Sequence, residues 1–131
     1  MKNQTKTVQI ACEQAKKSAH SKFHHGCVLI KNGKVISTGY NRDSFRGRPS
    51  EHAEESALRD VRDKDARGST MVVIRLKADN SFGNSLPCNR CMRIICKRGV
   101  YKIFYSHNAT QRCFAADMDA IFQKPCVEGA N

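Results

Sequence analysis

The segment Thr70-Met71-Val72-Val73-Ile74-Arg75-Leu76 is apolar at almost every position. A strand with one wet face alternates apolar and polar side chains. A near-continuous β-branched run instead suits a strand covered on both faces. Covering both faces takes helices above and below a sheet, so this one run directs the chain toward a layered α/β fold. The flanking patterns agree. From Gln4 to about His20, the residues Val8, Ala11, Cys12, Ala15 and Ala19 fall on one helical stripe. Cys27 to Lys31 and Lys34 to Tyr40 read as strands separated by Asn32-Gly33. Asn-Gly between two such runs is a hairpin signal, because a type I′ turn needs positive φ at both central residues.

Asn41 to Pro49 reads as a polar, arginine-rich loop. Ser50 is a suitable N-cap for a second helix, with Glu51, Glu54 and Glu55 in its first turn. That helix is expected to run to about Arg62, with residues 63–69 breaking it. Residues 78–87 read as loop. Pro87 opens a third helix through Cys91, Met92, Ile94 and Ile95, and Gly99 stops it. Val100 to Tyr105 is a further strand. Ala115, Met118, Ile121 and Phe122 suggest a last helix, with a frayed tail from Lys124. The strands on either side of the third helix should be parallel. The expectation is one domain over residues 1–131, with a mixed sheet between two helical layers. The order of strands in the sheet does not follow from the pattern.

Composition narrows the class. The chain has 131 residues, the size of one compact domain. No apolar run approaches the roughly 20 residues of a membrane span, so no membrane partner is expected. The first residues carry positive charge without an apolar stretch behind it, unlike a secretory signal. Seven cysteines in such a chain are expected to be thiols in a reducing, cytoplasmic setting. Cys12 and Cys27 sit among apolar neighbours and read as small buried hydrophobes. Twenty-three Lys and Arg against twelve Asp and Glu give a net charge of +11. That balance favours polyanionic partners: nucleic acid, nucleotides or an acidic surface.

Two short segments carry chemistry. His52-Ala53-Glu54 stands at the start of the second predicted helix, and Pro87-Cys88-Asn89-Arg90-Cys91 at the start of the third. If their parent strands are neighbours, both helix starts meet at one end of the sheet, where α/β proteins place ligands. Cys88 and Cys91 can present two thiolates on one side of a helical turn, stabilised by the helix N-terminus. His52 adds an imidazole. Three protein ligands with a fourth position open is the catalytic zinc pattern, and Glu54 is near enough to handle the proton of a water held there. Cys-x-x-Cys alone is shared with redox dithiols, and His-x-Glu alone is a common helix start. Their conjunction is the mark of the zinc deaminases.

On these residues the chain resembles the cytidine/deoxycytidylate deaminase superfamily, over about 80 residues from Gly26 to Tyr105. The segment from Pro87-Cys88-Asn89-Arg90-Cys91 through Ile94-Ile95 to Gly99-Val100 most resembles the deoxycytidylate branch. The resemblance implies a three-layer αβα fold, a Zn2+ held by His52, Cys88 and Cys91, and Glu54 as proton shuttle. It also implies that Asn41 contacts the substrate sugar and that the protein is a homo-oligomer. Arg42, Arg46 and Arg48 are candidates to hold a 5′-phosphate, since guanidinium groups bind phosphate bidentately. The expected reaction is hydrolytic deamination of a cytosine nucleotide, dCMP or CMP, to its uracil form with release of ammonia.

Two other readings stand beside it. Gly39-Tyr40-Asn41-Arg42 resembles the Gly-Trp-Asn-Arg of tRNA adenosine deaminases, which favours a base in RNA or single-stranded DNA. Leu86 stands where those enzymes and guanine deaminases usually carry glutamate. Nine Phe and Tyr and no Trp also give few stacking platforms for a strand. The other reading is a catalytically silent, zinc-containing nucleic-acid-binding protein.

Overall fold

The computed structural model describes residues 4–20 and 22–118. Helix α1 (Gln4–Lys16) leads into the antiparallel hairpin of β1 (His24–Lys31) and β2 (Lys34–Tyr40). Then follow α2 (Ala53–Arg59), α3 (Asp63–Ala66), β3 (Thr70–Leu76), β4 (Phe82–Gly83), α4 (Asn89–Lys97), β5 (Lys102–His107) and β6 (Arg112–Asp117). The sheet order is β2-β1-β3-β5-β6, with β4 pairing the end of β3. β3 and β5 are parallel across the α4 crossover, and the other pairs are antiparallel.

The apolar run at Thr70–Leu76 is the middle strand, and its side chains divide between two cores. Met71 and Val73 face α2 and α4, packing with Leu58, Cys91, Ile95 and Ile103. Val72 and Ile74 face α1, packing with Ala11, Ala15 and Val28. Hence the three layers. Asn32 and Gly33 both adopt positive φ, 53° and 77°, as the hairpin turn requires.

Close packing of the layers depends on two glycines. A β-carbon on Gly26 would lie 1.9 Å from the Ala11 carbonyl oxygen in α1. One on Gly39 would lie 2.5 Å from the Ala57 nitrogen and 2.8 Å from the Ala53 oxygen in α2. Backbone cannot yield as a side chain can. Gly39→Ala is therefore expected to cost about 3 kcal/mol in urea unfolding, at the upper end for overpacking. Gly33→Asn is expected to cost less than about 1 kcal/mol. Its β-carbon meets open space, and Asn tolerates positive φ.

Several boundaries differ from expectation. The N-cap of α2 is His52, not Ser50. Glu51 and Arg42 exchange backbone hydrogen bonds of 3.0 and 2.9 Å, which holds the chain extended until His52. The predicted helix to Arg62 stops at Arg59, and the charged stretch after it forms α3. Arg98 explains the break: its guanidinium donates to the carbonyls of Leu58 and Val61, meeting acceptors that a longer helix would have used. α1 ends at Lys16 instead of near His20. β1 begins three residues before Cys27, and β5 begins at Lys102 instead of Val100. The loop over 78–87 contains β4. Ala115 lies in a strand, β6, returning antiparallel to β5, and not in a helix. Ile121, Phe122 and the tail from Lys124 lie outside the described residues.

Candidate active site

β2 and β3, the parents of the two chemical segments, are not neighbours, because β1 lies between them. β1 is antiparallel to both, so β2 and β3 run the same way and end at the same edge. Their following loops return α2 and α4 side by side. His52 is the N-cap of α2, Cys88 is the N-cap of α4, and Cys91 lies in the first turn of α4. The two helices are tied by Arg90, whose guanidinium donates to Glu55 at 2.6 Å. Glu55 also accepts from the His52 backbone N–H at 2.9 Å, so one carboxylate fixes both helix starts.

The ligand atoms of His52, Cys88 and Cys91 lie within 4.8 Å of one another. His52 Nδ1 is 3.1 Å from Cys91 Sγ and 3.9 Å from Cys88 Sγ. Zinc bonds of ordinary length at a tetrahedral angle set N and S about 3.5 Å apart. The two observed separations straddle that value. One imidazole and two thiols are also a donor set suited to a borderline-soft ion. Burial pushes the Cys91 thiol well above its ordinary range, and the charges of Glu54 and Cys88 push it further. A divalent cation reverses each of these effects. The three residues fit Zn2+.

Glu54 is buried and lines a pocket of about 350 Å³ with His25, Asn41, His52, Leu86 and Cys88. Burial raises its carboxyl to about 7, against a backbone hydrogen bond that lowers it. A carboxyl poised there can both take and give a proton near neutral pH.

Asn41 is also buried at the pocket wall. Its Oδ1 accepts from the His25 N–H at 2.8 Å and its Nδ2 donates to the Phe23 carbonyl at 2.7 Å. One N–H and one lone pair remain for a ligand. Arg42 lines the pocket while donating to Glu51 at 2.5 Å. Arg46 and Arg48 do not line it. They sit at the tip of the Asn41–Pro49 loop, in an adjoining groove.

Three contributors were not singled out from the sequence. His25 forms part of the wall, and burial, with Arg75 next in importance, lowers its pKa to about 4, so it is neutral at pH 7. Ser85 and Ser106 anchor the loop that carries Cys88. Ser85 Oγ donates to the Val73 carbonyl at 2.7 Å and accepts from the Ser106 N–H at 2.7 Å. Ser106 Oγ donates to the Gly83 carbonyl at 2.7 Å. Both serines are buried. Nothing local marks them, since serine in a polar loop or a strand reads as solvated.

A three-layer αβα sandwich with a His-Cys-Cys cluster between two helix starts defines a zinc-binding α/β protein. The family follows from the sequence match. Residues 1–107 match the model of the cytidine and deoxycytidylate deaminase zinc-binding region, and the chain belongs to that family. Solved structures share the fold. A dCMP deaminase from cyanophage S-TIM5 is 20% identical, with 91% of this chain and 89% of that one covered, at a TM-score of 0.64. A cytidine deaminase from Burkholderia pseudomallei is 19% identical over 90% and 94%, at 0.67. RibD from Acinetobacter baumannii is 27% identical over 78% of this chain but only 27% of its own, at 0.58. No curated protein sequence matches the chain.

Proposed function

We propose that this protein hydrolyses the exocyclic amine of a cytosine nucleotide, dCMP or CMP, giving the uracil form and ammonia. The observation that carries the reading is the meeting of His52, Cys88 and Cys91 beside the buried carboxyl of Glu54 in one pocket. Family membership supports deamination of cytosine compounds. A structure of the cyanophage relative in complex with dCMP and dUMP supports the nucleotide level.

His52, Cys88 and Cys91 hold the metal. Bound there, zinc supplies Lewis-acid activation of water near neutral pH. Glu54 accepts the proton of the water that attacks C4 of the ring. It delivers that proton to N3, then takes the second proton from the hydroxyl newly formed at C4 and delivers it to the departing amine, as the C4–N bond breaks and ammonia leaves. The pocket walls exclude bulk water from the carboxyl, and that burial favours its protonated form. Asn41, fixed by its bonds to the backbone of Phe23 and His25, directs its remaining N–H toward the sugar. Arg42 is the guanidinium best placed for a 5′-phosphate, exchanging part of its contact with Glu51.

The test is a substrate panel. Zinc-loaded protein is offered dCMP, CMP and cytidine, and ammonia and uracil products are measured. The reading expects turnover of at least one nucleotide, faster than of cytidine. No turnover of any of them contradicts it and favours the silent binder.

A further inference from the structure

We propose that His25 selects the base: its ring N–H donates to the C2 carbonyl oxygen of cytosine, so that the pocket takes cytosine and turns adenine away. This rests on the reading of the pocket as a cytosine site. The backbone of His25 is fixed on both sides. Its N–H donates to Asn41 Oδ1 at 2.8 Å, and its carbonyl accepts from the Asn41 N–H at 3.3 Å. Across the sheet it pairs with Arg75 of β3. Alternate side chains of a strand share a face. Cys27, two residues on, packs in the core beneath α2 and α4, so the His25 ring stands on the face those helices cover. There it lines the pocket together with Glu54.

Polar side chains around it are already engaged. His20 pairs with Asp43 at 2.9 Å and Arg42 with Glu51. Ser85 Oγ serves the Val73 carbonyl and the Ser106 N–H. The half-buried His25 ring has no hydrogen bond or ion pair among the described residues. A polar ring left unpaired in a pocket wall is stabilised by the ligand group that meets it. An imidazole carries at least one N–H in either tautomer and either charge state. The order of atoms around the substrate ring says which group that is. Attack is at C4, Glu54 serves N3, and Asn41 serves the sugar on N1. Between N3 and N1 lies C2, whose carbonyl oxygen is the acceptor on that edge. His25 is joined to Asn41 through its backbone and shares the wall with Glu54, so it meets the edge between them. Adenine, with its amine at the reacting position, has a C–H at the corresponding carbon. It leaves the His25 N–H unpaired, and a site built to hydrogen-bond its substrate rejects an analogue that lacks the partner.

The experiment exchanges oxygen for sulfur at C2, because a thiocarbonyl is a weak acceptor. Zinc-loaded wild type and His25→Ala are offered dCMP, 2-thio-dCMP and dAMP, and kcat/KM is measured. Dissociation constants of dUMP and 2-thio-dUMP are measured alongside. The wild type is expected to favour the oxo form about tenfold in turnover and in binding, the worth of one hydrogen bond. His25→Ala is expected to lose about tenfold on dCMP and to treat the two forms alike. No turnover of dAMP by the wild type is expected. An equal oxo preference in the wild type and His25→Ala overturns the proposal, as does wild-type turnover of dAMP comparable to that of dCMP. A wild type indifferent to the sulfur exchange also overturns it, however well the variant folds. Turnover of dCMP without an oxo preference removes the His25 contact alone. A His25-dependent oxo preference in dUMP binding, without turnover of any cytosine compound, removes the deaminase reading alone.

Discussion

Glu54→Gln is expected to lower turnover of a cytosine nucleotide by about 10²- to 10⁴-fold, the usual worth of a positioned acid–base group. Zinc content is expected to stay full, because the carboxyl is not among the three converging ligand atoms. The substitution keeps the shape of the side chain and removes only its capacity to move a proton. Fold stability should hold or rise, since Glu54 is buried and its charged form is disfavoured there. The measurements are ammonia release, metal analysis and thermal unfolding on one preparation. Turnover near the wild-type level would remove Glu54 from the chemistry. Loss of zinc would instead make it a ligand or a support of one.

Cys91→Ser is expected to lower stability by removing the metal. Cys91 is fully buried in the first turn of α4, against Glu54 and beside His52. A metal there joins the starts of α2 and α4, which otherwise share the exposed Arg90–Glu55 pair. At a free zinc concentration a hundredfold above the dissociation constant, binding stabilises the fold by about 2.7 kcal/mol. For a chain of this size that corresponds to about 10 °C in melting temperature. Chelation of the wild-type protein is expected to give a similar drop, and chelation of Cys91→Ser almost none. Cys96→Ser is expected to keep both the metal and its response to chelator. Cys96 lies five residues on, about 140° around the helix from Cys91. A wild-type melting temperature indifferent to chelator would contradict a metal bound at this site.

How much of this was legible in the sequence depends on whether the signal was local. Asn32-Gly33 specifies its own turn, and the run at 70–76 reports burial on both faces through its side chains alone. The Cys88–Cys91 spacing and the position of His52 at a helix start are also local. So the elements that carry the metal cluster could be read before the strands were ordered. What was not legible depends on distant partners. Arg98 ends α2 from 40 residues away. β4 exists because two residues find the free side of β3 beyond the point where β5 stops pairing. β6 alternates too weakly to outweigh a helical stripe through Ala115 and Met118, and its register comes from β5. The strand between β2 and β3 was unforeseen, yet the helix starts still meet, because strand direction rather than adjacency decides the edge. The arginines divide the same way. Their clustering was visible, but only the fold puts Arg42 at the pocket and Arg46 and Arg48 in the groove beside it.

The central claim is hydrolysis at C4 in the pocket that holds Glu54. It is tested most directly by running the reaction of zinc-loaded protein on dCMP and CMP in ¹⁸O-labelled water, with mass spectrometry of the nucleotide and assay of ammonia. The account predicts a uracil nucleotide carrying one solvent oxygen for each ammonia released, and none from Glu54→Gln. Unchanged cytosine nucleotide, or a product without solvent oxygen, would contradict it.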